Sequence, residues 1–387
     1  MRTLIHDVRL FDGELTIPKT DVLIENDQIS LVGPSLDVQP EVSINGLGQT
    51  LLPGLIDAHT HVFDGSLAQA LRYGVTTELD MFCLPQILAE QRRLAAENDD
   101  VADFRSAGTL ATAPGGHPTQ LLASPLLDAL GPQALDFISD PTQAPAFIRA
   151  RLAEGADYLK IVIDDGTVHG ANLPVMTPEC ATALTEAAHA AGLRVVAHAI
   201  TAGEVEIALD AGVDGLAHVW TDLAPGDPAS LRLAERVATQ GVFAVTTLAY
   251  FEAISAHHVE TADCARPGSS TNAVGSLQAL REAGVALLAG TDATPFVPAH
   301  GAGMHRELQL LTEAGLGPEE VLAAATSRPA QHFGLTDRGR VAVGLRADLL
   351  LVHGDPTRDI TAMANTADVW RRGTRQPGHG LSQNAAE

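Results

Sequence analysis

Cysteine is scarce in this chain of 387 residues: Cys83, Cys180 and Cys264 stand far apart and outside any Cys-x-x-Cys pair. That spacing offers neither a disulfide framework nor a thiolate metal site. Long apolar runs are missing too, and none approaches the ~20 residues of a membrane span. The opening stretch Met1–Asp12 alternates polar and apolar side chains and lacks the apolar core of a secretory signal. Positive charge is in short supply, with 24 Lys and Arg against 48 Asp and Glu and a formal net charge of −24. Such a surface repels phosphate backbones and anionic bilayers, so neither nucleic acid nor a membrane is expected as a partner. Disorder is excluded by a hydrophobic content of 45%. The expected setting is the cytoplasm and the expected partner a small-molecule substrate. Surfaces for homo-oligomer formation exist, but nothing fixes a number.

The length allows two domains, or one large α/β barrel with an appendage. Residues 1–53 read as short strands (Thr3–Leu10, Asp21–Glu25, Ile29–Val32) divided by turns at Asp12-Gly13 and Gly33-Pro34. From Asp57 the rhythm changes to short apolar runs alternating with stretches of helical period. Eight strands are predicted: Ile56–His61, Gly74–Met81, Asp103–Ala111, Tyr158–Ile163, Arg194–Ala199, Gly215–Val219, Val242–Thr247 and Ala286–Thr291. Predicted helices include Pro85–Glu97, Pro178–Ala191, Thr201–Ala211, Ala229–Gln240, Thr271–Ala283 and Pro318–Phe333. Gly192, Gly241 and Gly284 stand where a helix ends and a strand begins, as expected of glycine at C′. Eight βα units predict an α/β fold, a (β/α)₈ TIM barrel over 54–338. Strand rhythm returns at Gly339–Val343 and Asp348–Val352. A small flanking β-sandwich built from 1–53 and 339–375 is therefore expected, with a loose polar tail over 376–387.

Chemistry gathers at the predicted strand ends, where barrel active sites lie. His59 and His61 are two apart, so on a strand both imidazoles point to one face and can meet one ion. Taken alone they could be hydrogen-bonded polar histidines. Lys160 lies inside an apolar strand, where burying an ammonium is costly, so it must snorkel, pair or ligate. His198 and His218 end the fifth and sixth strands, and Asp292 closes the eighth in Ala-Gly-Thr-Asp. Asp292 by itself could be a helix N-cap. Six such residues on five strand ends point jointly to a metal site.

Leu51–His61 (Leu-Leu-Pro-Gly-Leu-Ile-Asp-Ala-His-Thr-His), Lys160, His198, His218, Gly-Thr-Asp292, Thr326–Ala330 and Gly339–Asp355 resemble the amidohydrolase superfamily over about residues 3–375. The resemblance is strongest to its imidazolonepropionase-like branch, which includes Xaa-Pro and Xaa-Arg dipeptidases. It implies two divalent metal ions, with zinc expected. His59, His61 and Asp292 would hold one ion and His198 and His218 the other. Lys160, carboxylated by CO₂, would bridge them. Two metals let hydroxide exist near neutral pH and polarise a carbonyl, and Asp292 could carry the proton to the leaving nitrogen. The expected reaction is hydrolysis of an amide-type C–N bond in a peptide, N-acyl, lactam or carbamate substrate. The alternatives are an esterase, lactonase or organophosphate hydrolase on the same metals, a decarboxylase, or a non-catalytic barrel.

Substrate contacts are expected from the loops. His117 (in Ala113–Thr119), His169, Asn172 and Tyr250 are candidates, with His117 and Tyr250 placed in the catalytic set beside Asp292. Trp220 and Phe251 could wall the pocket or pack in its rim. Ala253–Ser270, with His257 and His258, could be a lid or a solvated loop. Arg306 and Arg266 are the few cations near the mouth, a departure from a dipeptidase that grips a free carboxylate. His198-Ala199-Ile200-Thr201 also lacks the second histidine of many relatives' His-Ala-His-Gly. Asp64, Asp164, Asp165, Asp222 and Asp292 gather near the strand ends, a mild argument against anionic ligands.

Overall fold

A computed structural model describes residues 1–122, 136–255, 265–266 and 268–381. Five strands come first: β1 (Arg2–Phe11), β2 (Thr16–Glu25), β3 (Gln28–Gly33), β4 (Val42–Asn45) and β5 (Gln49–Pro53). Eight more follow, buried along their length except at Arg105 of β8: β6 (Leu55–Thr60), β7 (Val75–Asp80), β8 (Asp103–Ser106), β9 (Leu159–Val162), β10 (Val195–His198), β11 (Gly215–Leu216), β12 (Phe243–Val245) and β13 (Leu287–Leu288). Three more close the chain: β14 (Leu349–His353), β15 (Thr366–Arg371) and β16 (Thr374–Pro377).

β6–β8 form one parallel sheet and β9–β13 another. Isolated parallel bridges join their margins, Ala111 to Ile161 on one side and Thr60 to Ala293 on the other. The Ala58 amide also donates to the Ala289 carbonyl (3.0 Å). All eight predicted strands are present, the first shifted by one residue to Leu55–Thr60 and the others shorter at their ends. The third differs most: it stops at Ser106 because Gly108 takes φ +63°, and the ladder resumes at Ala111 against β9. Parallel strands are covered on both faces. In β10, accordingly, Val195 and Ala197 join the large cluster under the helices, and Val196 joins a second one with Ile56, Val245 and Leu288.

The helices between the strands have ordinary local causes. Pro85 and Pro178 occupy the first turns of Pro85–Glu97 and Pro178–Ala190, and Thr177 caps the latter. Thr201 and Glu204 make a capping box at Ala202–Asp210. Gly192 and Gly241 have positive φ at the helix-to-strand turns, as expected. The single helix expected over Pro318–Phe333 is two, Pro318–Ala324 and Ser327–His332. Pro329 donates no amide and its ring would clash with the carbonyl four residues back, at Ala325, so a continuous helix is broken at Ala325–Thr326.

The terminal strands make one mixed eight-stranded sheet, β16-β15-β14-β5-β1-β2-β3 with β4 also on β1, rather than two separate sheets of a sandwich. β1 is the reason: its first half pairs β4 and its second half β5, with register shifts at Ile5/Val8 and Val8/Leu10. Gly339–Val343, expected to be a strand, is irregular, though Val341 is buried in the sheet's own core with Trp370 and Leu349. The expected loose tail is ordered at its start, with Gln376 in β16 and a 3₁₀ turn at His379–Leu381. Its remainder lies outside the described residues. Among the described residues no helix is long and apolar enough to cross a membrane.

Candidate active site

The ends of the parallel strands bring His59, His61 and Asp292 together. His59 lies inside β6 and His61 one residue beyond it; their Nε2 atoms are 3.3 and 3.0 Å from Asp292 Oδ1. His218, two residues past β11, has Nε2 4.0 Å from Asp292 Oδ2. The His218 ring stands 4.8 Å from that of His59 and 4.6 Å from that of His198, the last residue of β10. His59 donates through Nδ1 to the Ala217 carbonyl (3.1 Å), which leaves Nε2 a lone pair facing Asp292. His218 Nδ1 is 2.9 Å from the Thr247 hydroxyl. Lys160, in β9, is buried, and its Nζ has no hydrogen-bond partner among the described residues.

Local sequence explains this convergence. Asp57 accepts from the His59 amide (3.2 Å), the Thr291 amide (3.0 Å) and the Thr291 hydroxyl (2.7 Å), and so ties β6 to the segment bearing Asp292. A Cβ on Gly290 would meet the Val245 side chain and come within 2.8 Å of the His59 amide nitrogen, so only glycine lets these backbones approach. Gly290→Ala is expected to cost about 1–3 kcal/mol by overpacking and to push β6 away from Asp292. A thermal melt and a metal count check this, and wild-type values in both would refute it. Asp292 and Thr247 hold φ of +55° and +45°. That conformation is rare for an aspartate and more so for a β-branched residue, and such strain gathers where a side chain must be aimed.

The electrostatics favour ligand forms. Burial, helped by the Lys160 charge, lowers His59 to about 4, and burial likewise lowers His198 and His218. All three are therefore neutral imidazoles at neutral pH, the form that binds metal. His61 goes the other way, since the Asp292 carboxylate outweighs its burial. Asp292 is resisted by burial but held well below the usual carboxylate range by His59 and His61. Burial pulls the Lys160 ammonium down to about 7.

A second group lies alongside. Asp164, two residues beyond β9, accepts from His198 Nε2 (3.2 Å) through Oδ2 and from the Gly166 amide (2.7 Å) through Oδ1. His117 Nδ1 and His169 Nε2 stand 3.5 and 3.8 Å from the same Oδ2. The His117 ring stacks on those of His198 (4.9 Å) and His169 (5.7 Å). His198 and His117 hold the Asp164 carboxyl far below its usual range against burial.

Tyr250 sits in the helix Leu248–Ser255 with its ring 5.7 Å from that of His218. Phe251 is buried 6.0 Å from His218. Trp220 is fully buried, with Nε1 donating to Ser230 Oγ (2.9 Å), so it packs in the core rather than walling a pocket. Asn172 and Arg266 are exposed, and Arg306 pairs with Glu252 and Glu313. Asp64 and Asp222 are exposed, which leaves Asp164 and Asp292 as the buried members of the acidic set. Of the expected lid, Ala253–Ser255 and Ser269–Ser270 belong to helices. His257 and His258 lie outside the described residues.

Sequence reasoning missed the Glu78–His300 pair. His300 donates through Nδ1 to Glu78 (2.7 Å) and through Nε2 to the His61 carbonyl (3.1 Å). Burial resists its protonation, but the Glu78 carboxylate raises it to about 8. The charged ring thus props the backbone that carries His61. A histidine far along the chain, within no strand, gave no signal of this.

The amidohydrolase family profile matches residues 50–375, and the chain belongs to that family of hydrolases acting on C–N bonds. An imidazolonepropionase of Cereibacter sphaeroides is 29% identical over 377 residues, spanning 88% of this chain and 90% of its own. A dihydroorotase of Pediococcus pentosaceus is 37% identical over 92 residues, so this chain spans only about a fifth (21%) of that relative's length. Among solved structures, a Xaa-Pro dipeptidase with bound methionine in the active site shares the fold at TM-score 0.81 and 23% identity, covering 98% of this chain and 100% of that one. The chain is thus similar in sequence to imidazolonepropionases and in fold to the Xaa-Pro dipeptidase.

Proposed function

We propose that the two parallel sheets, with the bridges at their margins, form one (β/α)₈ barrel carrying a binuclear metal centre at its strand ends. There the enzyme would hydrolyse an amide-type C–N bond of a small, neutral or cationic molecule. The observation that carries this is the convergence of His59, His61 and His218 on Asp292, beside a buried Lys160 that is electrostatically coupled to His59 and Asp292 and has no hydrogen-bond partner among the described residues. The donor set fits zinc, since imidazole and carboxylate suit a borderline ion and every imidazole but His61 is held neutral. His59, His61 and Asp292 would hold one ion, His198 and His218 the other.

Lys160 fits as a bridge once carboxylated. A buried amine drawn down to about 7 is largely neutral above that pH and can attack CO₂ through its nitrogen lone pair. An N–C bond forms, a proton leaves, and the resulting carbamate offers oxygens where an ammonium would be stranded. When bound, the two ions would lower the pKa of a water held between them and polarise the scissile carbonyl. Asp292 would take the proton of the attacking water and return it to the leaving nitrogen, a poor leaving group until protonated. Tyr250, beside His218, would present its hydroxyl to the carbonyl oxygen, and His117 would face substrate from beside His198. A cytoplasmic setting is part of the proposal.

Removal of metal tests the reading. Protein dialysed against a strong chelator is expected to lose at least 99% of its hydrolysis of a responsive amide, and to regain it with Zn²⁺ plus bicarbonate. Full activity after rigorous chelation would sink the proposal. A panel of N-acyl amino acids, dipeptides, lactams, carbamates and matched esters would supply the substrate.

A further inference from the structure

We propose that His117, Asp164 and His169 form a third divalent-cation site, separate from the two ions of the binuclear reading. The donor atoms come from two loops, His117 after β8 and both Asp164 and His169 after β9, and lie within 4.8 Å of one another. His117 and Asp164 are buried and His169 half-buried. The separations from Asp164 Oδ2, 3.5 Å to His117 Nδ1 and 3.8 Å to His169 Nε2, exceed the 2.7–3.2 Å of an N–H···O bond. They are close to the edge of a coordination tetrahedron, since bonds of about 2.0–2.1 Å set neighbouring donors roughly 3.4 Å apart.

Asp164 has the lone pairs for this. Oδ1 takes the Gly166 amide, and one lone pair of Oδ2 takes His198 Nε2, which leaves the other for an ion. Gln120 is a further neighbour: its Nε2 lies 2.8 Å from His117 Nδ1, while its Oε1 is buried without a hydrogen-bond partner among the described residues. Turning the carboxamide over would exchange the two and present an oxygen donor on the His117 side. Two imidazole nitrogens and a carboxylate oxygen select Zn²⁺, Co²⁺ or Ni²⁺ over Mg²⁺ or Ca²⁺. With His117, Asp164 and His169 alone as protein ligands, a coordination position stays open to a substrate oxygen. An ion here would supply the positive charge that Lys and Arg do not bring to the mouth.

Metal stoichiometry tests this without reference to turnover. Apo-protein is loaded with excess Zn²⁺ and bicarbonate, passed through a desalting column in metal-free buffer, and its zinc counted by mass spectrometry. His169→Gln is expected to hold one equivalent fewer than wild type, and Lys160→Met to lose zinc whether or not His169 is present. Equal zinc in wild type and a folded His169→Gln, judged by circular dichroism, would overturn the third site. If His169→Gln does not fold, His117→Gln is read the same way. A Lys160→Met protein with the wild-type count, beside a His169→Gln protein one equivalent short, would refute the binuclear reading and keep this one.

Discussion

Asp292→Asn is expected to lower kcat by about 10³-fold or more, the upper range of general acid–base catalysis, while leaving the fold intact. Asparagine is a discriminating choice because the position holds φ +55°, and Asn is one of the few side chains that accept left-handed backbone readily. The backbone therefore has no new reason to move, and an amide oxygen can still face His59 and His61. What disappears is the charge that His61 leans on and the oxygen that could take a proton. Circular dichroism, a zinc count and kcat on the best amide of the panel separate the effects. Lost zinc with lost turnover makes Asp292 chiefly a ligand, and retained zinc with lost turnover makes it the proton carrier. A kcat within tenfold of wild type would remove Asp292 from the chemistry.

The largest expected loss of stability lies at the opposite end of the strands. Asp103, at the start of β8, is buried among Arg338, Arg346 and Arg371, the last two with nitrogens 3.2 Å from its carboxylate. Arg371 ends β15, and Arg338 and Arg346 precede β14, so one carboxylate clamps the terminal sheet to the parallel strands. Asp103→Asn leaves these guanidiniums short of a counter-charge and is expected to cost about 3–5 kcal/mol at pH 7. Burial alone would raise the Asp103 carboxyl, but Arg338, Arg371 and Arg346 outweigh it and hold it well below the usual range. A depressed carboxylate stabilises the fold above its unfolded pKa of about 3.9 and loses that contribution as pH falls toward the folded value. The gap between wild type and variant should therefore be constant near neutrality and close below about pH 4. Urea unfolding at pH 7 and near pH 3 measures it. A variant as stable as wild type, or a gap unchanged in acid, would refute the clamp.

Much of the candidate site was legible because a parallel strand writes its position in the sequence. A short apolar run ending in a polar residue marks a strand and its mouth, and His59, His198 and Asp292 all obey that grammar. His61 and Lys160 came with them through strand spacing and the cost of burying an amine. What escaped depends on loops folding back. His300 reaches the His61 carbonyl from more than two hundred residues away, and no local pattern records that. Asp164 was visible as an acid near the mouth, but its position among three imidazoles depends on two loops meeting. The terminal sheet was misread for a related reason. A long strand that changes partners half-way looks, residue by residue, like a strand in either of two sheets.

That same sheet makes demands on biosynthesis. β5 pairs with β14, and the Gln49 and His353 side chains that meet there are 304 positions apart. At about 5–20 residues per second, β5 waits roughly 15–60 s for its partner to be made. During that time its edge, with Leu51 and Leu52, offers unpaired backbone to any neighbouring chain, a situation that invites intermolecular strand pairing. The nascent protein therefore carries an open β5 edge until residues 349–353 emerge, and dependence on a chaperone should concentrate in that interval.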